Sequence, residues 1–324
     1  MKLSSMKKIF VLILLLFHTF SFAVNGATID FTNGQETVNV LDDSVYTKTS
    51  DVSPLLIDGK WKLPLRITAE TFGDVVLWEE TDKTITVSSD DIVVKIKIND
   101  IVATVNDKIV ELDSAPLIID DRTMVSPLFF ELCLGYGIRY VEADDGVLIT
   151  DEKPIMRIGD SFIYFDEVKL LFDADKDKYK GEEELLVKSC ISNLYDTAIM
   201  YNESIVKRIN FTDDERAEIL QKSEQDVKIY DNTSLKSIYT YILSKRKLAD
   251  KFSDILSNES IPDEAEILKY FEENFPGNDI TDDGYEEIRY LLGYEKFVEN
   301  WNKLYEATDD EMFYSVEELV EILK

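Results

Sequence analysis

An α+β fold, a strand-rich tandem-repeat part followed by an all-α part, is what three features of these 324 residues predict. In the first half, stretches such as IVVKIKIND and IVATVNDKIVEL alternate apolar and polar residues with a period of two. In the same half SPLLIDGK (53–60) returns 62 positions later as APLIIDDR (115–122), the mark of two supersecondary units sharing one core. Near Asp151 the texture changes to apolar stripes at helical spacing, which places a boundary around Glu152-Lys153-Pro154.

The chain opens with Lys2, Lys7 and Lys8, an apolar run from Ile9 to Phe17, and small residues at Ser21 and Ala23. That order is expected of a secretory signal peptide, residues 1–23. The run falls short of the roughly 20 apolar residues that a spanning helix needs, so a secreted or extracellular chain with no stable membrane span is expected after removal. Removal would also take His18, the one histidine. Without imidazole, a Ser-His or Cys-His nucleophile, a His-ligated metal and a His acid–base pair are all excluded. The net charge of −30 would become −33, since three lysines leave and no acid does. Such a surface repels phosphate backbones and makes nucleic acid a poor partner. Cys133 and Cys190 fall in different parts of the chain and read as small buried hydrophobes.

Each repeat copy reads alike. A turn pair (Asp58-Gly59, Asp120-Asp121) precedes a short apolar helix ending at a glycine suited to a left-handed cap, Gly73 or Gly135. A hairpin follows: VVLWEE and TITVSS flank Thr81-Asp82-Lys83, and IRYVEA and VLIT flank Asp144-Asp145-Gly146.

In the second half, IMRIGDSFIYFDEVKLLF predicts a strand, a Gly159-Asp160 turn and a helix opening near Phe165-Asp166. From Glu183 to Lys207, Leu185, Leu186, Ile191, Leu194, Tyr195, Ala198, Ile199 and Ile205 are expected mostly on one helix face. Thr212 with Glu215 forms a capping box, and Leu235, Ile238, Ile242, Ala249, Phe252 and Leu256 stripe the next helix. Pro262 precedes EAEILKYFEENF, Glu286 to Ala307 makes a last long helix, and a short final helix is expected near Leu319.

Over residues 37–150 the chain resembles the N-terminal domain of copper amine oxidases, carried in copy one by Asp58-Gly59-Lys60, Leu63-Pro64-Leu65-Arg66, Glu70, Phe72-Gly73 and Trp78. Copy two keeps Val125, Leu134-Gly135 and Tyr140 but has Ser126-Pro127-Leu128 where the proline and arginine would fall. The resemblance implies a stalk or adaptor module, not oxidase chemistry, which in that family belongs to a separate histidine-bearing domain. Residues 155–324 resemble the helical chaperone portion of SurA-type and PrsA-type foldases through Ile158-Gly159-Asp160, Phe165-Asp166-Glu167-Val168, Thr212-Asp213-Asp214-Glu215, Asp263-Glu264 and Tyr270-Phe271-Glu272-Glu273-Asn274. Where that family often inserts a parvulin isomerase, only residues 275–284 intervene. The resemblance therefore implies holding of unfolded or envelope polypeptides without isomerisation, with Tyr239, Leu243 and Phe252 as candidate lining residues. The alternative is an envelope adaptor whose first domain binds cell-wall polymer.

The loop DADKDKYKGEEE spaces Asp173, Asp175, Asp177 and Glu184 as a calcium loop would, but Lys178 stands where the turn requires glycine. A solvated interhelical loop is expected there. No catalytic, cofactor-binding or metal-ligating residue is assigned, and a non-enzymatic binding protein is the expectation.

Overall fold

The structure, a computed structural model, describes residues 26–41, 45–57, 59–89, 91–229 and 236–323. The expected signal peptide with His18, the expected turn residue Asp58 and the expected stripe residue Leu235 lie outside the described residues. The described chain enters through strands β1 (Thr28–Thr32), β2 (Thr37–Leu41) and β3 (Val45–Thr49). Copy one then runs β4 (Leu55–Ile57), β5 (Lys60–Pro64), α1 (Leu65–Thr71), β6 (Val75–Glu79), β7 (Thr84–Ser89), β8 (Ile92–Lys97), β9 (Val102–Val105) and β10 (Lys108–Glu111). Copy two repeats the order with β11 (Leu117–Ile119), β12 (Arg122–Val125), α2 (Pro127–Phe129, continued by one π-helical segment, Phe130–Leu134), β13 (Gly137–Val141) and β14 (Gly146–Thr150). The starts of β4, β5, β6 and β7 recur 62 positions later as the starts of β11, β12, β13 and β14. Gly73 and Gly135 hold φ of 92° and 75°, the left-handed region that lets each helix stop and turn.

In copy one, β6 and β7 continue into β8, β9 and β10 as one five-stranded antiparallel sheet. In copy two, β1, β2 and β3 take the corresponding places beside β14, giving the order β13-β14-β1-β2-β3. The register matches: Ile85 faces Ile96 and Val87 faces Val94 in one sheet, while Val147 faces Phe31 and Ile149 faces Ile29 in the other. All eight side chains are buried. From sequence this unit starts at residue 37, yet β1, from Thr28, belongs to its second sheet. Without it β14 would present an unpaired edge and bare apolar residues.

The two copies meet through β5 and β12, where Leu63 pairs antiparallel with Val125, its own counterpart. Pairing of equivalent residues places a local two-fold axis between the copies. A second cross-copy contact joins another equivalent pair: the buried Tyr136 hydroxyl donates to Asp74 Oδ2 at 2.7 Å. One core, including Ile29, Phe31, Leu63, Val125, Phe129 and Phe130, serves both copies.

The second part comprises β15 (Met156–Ile158), β16 (Ser161–Ile163), α3 (Phe165–Asp175), α4 (Glu183–Val206), α5 (Asp213–Ile229), α6 (Lys236–Glu259), α7 (Glu264–Asn274), α8 (Asp282–Ala307), β17 (Asp310–Met312) and α9 (Val316–Leu323). The expected capping box is present at α5: Glu215 N donates to Thr212 Oγ1 at 3.2 Å and Thr212 N donates to Glu215 Oε2 at 2.8 Å. Thr281 caps α8, so that helix begins four residues before its expected start. Strand β17 returns to pair with β15 and closes a three-stranded sheet, which its short polar sequence gave no sign of. A core of Ile158, Val168, Leu186, Val187, Leu194 and Leu319 joins these elements. A third cluster ties the halves together, with Leu41, Val141 and Leu148 of the strands against Ile238, Tyr241 and Ile242 of α6.

Candidate functional site

Helix α6 carries all three residues expected to line a cradle, and it is the central helix of the second part, packed against α4, α5 and β13. Phe252 is 2% exposed, with the Lys207 ammonium 5.7 Å from its ring centre. Tyr239 and Leu243 are half-buried. None of the three lines the open groove of this half.

That groove lies between the α6–α7 link and one face of α8 and encloses about 480 Å³. Ile261 and Pro262 form one wall. Glu286, Tyr290, Gly293, Tyr294 and Phe297 form the other, recurring every three to four residues on one helical face. Tyr290 and Tyr294 are 77% and 60% exposed and Ile261 is 48% exposed, a contiguous apolar surface of the kind that marks interaction sites. Arg289 and Glu286, paired at 3.2 Å, give the groove a charged edge. Gly293 keeps its floor low, since a Cβ there would stand 3.6 Å from Pro262 Cδ. The stripe Tyr290, Gly293-Tyr294, Phe297 was visible in sequence. What hid its role is that the same helix carries a second apolar set, with Ile288 buried and Trp301 and Leu304 packed on the core.

A charged cluster occupies the junction of the two halves. Arg139 of β13 is buried, donates to Asp166 Oδ1 at 2.7 Å, and lies over the rings of Tyr164 and Tyr241 at 4.9 and 5.6 Å. Lys245 Nζ stands 3.5 Å from Glu167 Oε2 and 5.5 Å from the same Tyr241 ring. Burial raises the Glu167 carboxyl above its ordinary range, opposed by Lys245 and Arg139. Burial, with the charge of Asp166, pushes Glu152 up to about 8. Arg139, Glu152, Tyr164, Tyr201 and Tyr241 border a cavity of about 430 Å³. Buried charges matched this way fix two elements in one register.

Burial pushes both Cys133 and Cys190 up to about 11, so they stay thiols at neutral pH and are poor nucleophiles. Asp173 and Asp175, expected in an interhelical loop, lie in the last turn of α3, where Asp173 is held by Lys169 and Lys176 at 2.7 and 2.9 Å and Asp175 is paired with Lys178. Those lysines occupy the carboxylates that a cation would need.

Residues 40–149 match the family described as the copper amine oxidase N-terminal domain, a non-catalytic, stalk-like module. No curated protein matches the chain.

Proposed function

We propose that this chain is a secreted, non-catalytic polypeptide-binding protein of the bacterial cell envelope, in which a stalk-like module carries a SurA-like helical holder. The observation that carries this reading is the open groove of Ile261, Pro262, Tyr290, Tyr294 and Phe297 in the helical half. Apolar side chains of an unfolded client would cover it, with burial contributing roughly 25 cal/mol per Å². Aromatic walls suit such a role because two-torsion side chains offer large contact area at low entropic cost. The acidic surface keeps holder and client complexes apart in solution.

The test uses the chain from residue 24 onward in an aggregation-suppression assay with a chemically unfolded client. Suppression is expected, and Y290S/Y294S should abolish most of it while leaving the circular dichroism spectrum unchanged. Equal suppression by both proteins would move the client away from this groove. A second reading, favoured by the match over residues 40–149, is an envelope adaptor binding wall polymer through the strand-rich part. Retention of the chain on purified wall material, without any holding activity, would establish it instead.

A further inference from the structure

The repeat builds the same cleft twice. In copy one, a cleft of about 840 Å³ lies between Trp78, Glu80 and Lys83 on one side and Ile118 and Arg122 of the β11–β12 hairpin on the other. In copy two, a cleft of about 650 Å³ lies between Tyr140, Glu142 and Asp145 and, across from them, Leu56 and Lys60 of the β4–β5 hairpin. Each residue in one set stands 62 positions from its counterpart in the other, so the two-fold axis relates the clefts themselves.

They differ in which elements line them. The start of α5 forms one wall of the second cleft, where Asn210, Phe211 and Arg216 complete the lining. The Arg216 guanidinium donates to the Glu142 carbonyl oxygen and sits 3.5 Å from Asp145 Oδ1. The first cleft is lined by residues of the strand-rich part alone. Trp78 is 36% exposed there, and among the described residues the exposed Lys83 has no carboxylate within ion-pair distance. Of the acids that line the cleft, Glu70 accepts from Arg66 at 2.8 Å and Asp51 is paired with Arg122, while Glu80 accepts from the neutral Trp78 Nε1 at 2.6 Å and Asp121 stands beside Arg122.

We propose that the open cleft of copy one docks the N-terminus of a helix from a partner polypeptide, with an aromatic residue just before the cap and an acidic residue in the second turn. The second cleft supplies the template, since in its α5 wall Phe211 precedes the cap residue Thr212 and Arg216 is the fourth helical residue of α5. The exchange of Asp145 for Lys83 inverts the charge that the partner must bring. On a chain of net charge −30, this is a place where an acidic helix meets a cation that has no ion-pair partner among the described residues. The site is remote in sequence from the α8 groove and stands or falls without it.

The probe is a labelled peptide of residues 208–229 carrying R216E, titrated against the chain from residue 24 onward by fluorescence anisotropy. It should bind the unaltered chain, and K83E, on an exposed turn, should weaken it about tenfold by turning attraction into repulsion. The peptide with Arg216 retained should show the opposite preference and bind K83E more tightly than the unaltered chain. W78A should weaken both peptides. Equal affinities across the four peptide and chain pairs would overturn the proposal. So would self-association lost in K83E without peptide binding, which would put a second copy of the chain in the cleft.

Discussion

Replacing Lys245 by methionine removes one member of an ion pair whose side chains are 2% and 0% exposed. At the 3.5 Å separation of Nζ and Glu167 Oε2, an effective dielectric of about 20 gives an attraction of roughly 5 kcal/mol, against a desolvation cost of several kcal/mol per ion. The net worth of the pair is therefore small, while breaking it is expensive. K245M leaves the buried Glu167 carboxylate with Arg139 as its remaining counter-charge and should cost about 3 kcal/mol of unfolding free energy. E167Q strands the ammonium at a similar cost, although its amide oxygen still accepts from Tyr164 N at the start of α3, where Glu167 Oε1 now accepts at 3.2 Å. The double variant K245M/E167Q leaves neither charge buried alone and should be more stable than either single one. Urea unfolding of the four proteins closes the cycle, and a coupling of about 3 kcal/mol is expected. Costs that add to within about 0.5 kcal/mol would refute the claim that the two charges compensate each other across α3 and α6.

Three other perturbations test different contacts. At Gly137 an added Cβ would lie 1.9 Å from the Tyr164 hydroxyl and 2.5 Å from its Cζ, so G137A should destabilise by about 3 kcal/mol; an unchanged melting temperature would mean that β13 and Tyr164 are not this close. Glu152, raised to about 8, binds a proton in the folded chain that the unfolded chain has released by about pH 4.5. Its contribution is full below pH 4.5 and lost as pH rises through 8, so E152Q should flatten the fall in stability between those limits, and parallel urea profiles at pH 5 and 8 would refute this. Finally, G293L fills the α8 groove while replacing a poor helix former. It should raise helix stability by up to about 1 kcal/mol and reduce client holding, a pairing that general damage to the fold would not produce.

Much of the architecture was written locally. The two hairpins of each copy, the left-handed stops at Gly73 and Gly135, and the Thr212–Glu215 box depend on residues within a few positions of one another. The repeat of 62 announced itself because the same local solution is used twice. Less legible were the strands contributed from afar. Strand β1 reads as an isolated apolar stretch until β14, 122 residues later in the pairing of Thr28 with Thr150, supplies its neighbour, and β17 is three exposed residues that become a strand only beside β15.

The binding surfaces divide the same way. Sequence periodicity put Phe252 on an apolar stripe and named it as a lining residue, whereas Tyr290 fell in the expected last long helix with no role assigned to it. Packing decided that α6, enclosed by α4, α5 and β13, buries Phe252, whereas α8 leaves Tyr290 open. Likewise, the twin clefts are equal in the repeat and unequal in the molecule, because the start of α5 lines only one of them. Turn chemistry and hydrophobic period act between neighbours in the chain, so the residues alone determined the hairpins and helices, though not strands such as β1 and β17 that need a distant partner. Whether an apolar face ends covered or bare depends on segments a hundred positions away, and only the assembled tertiary structure settles that.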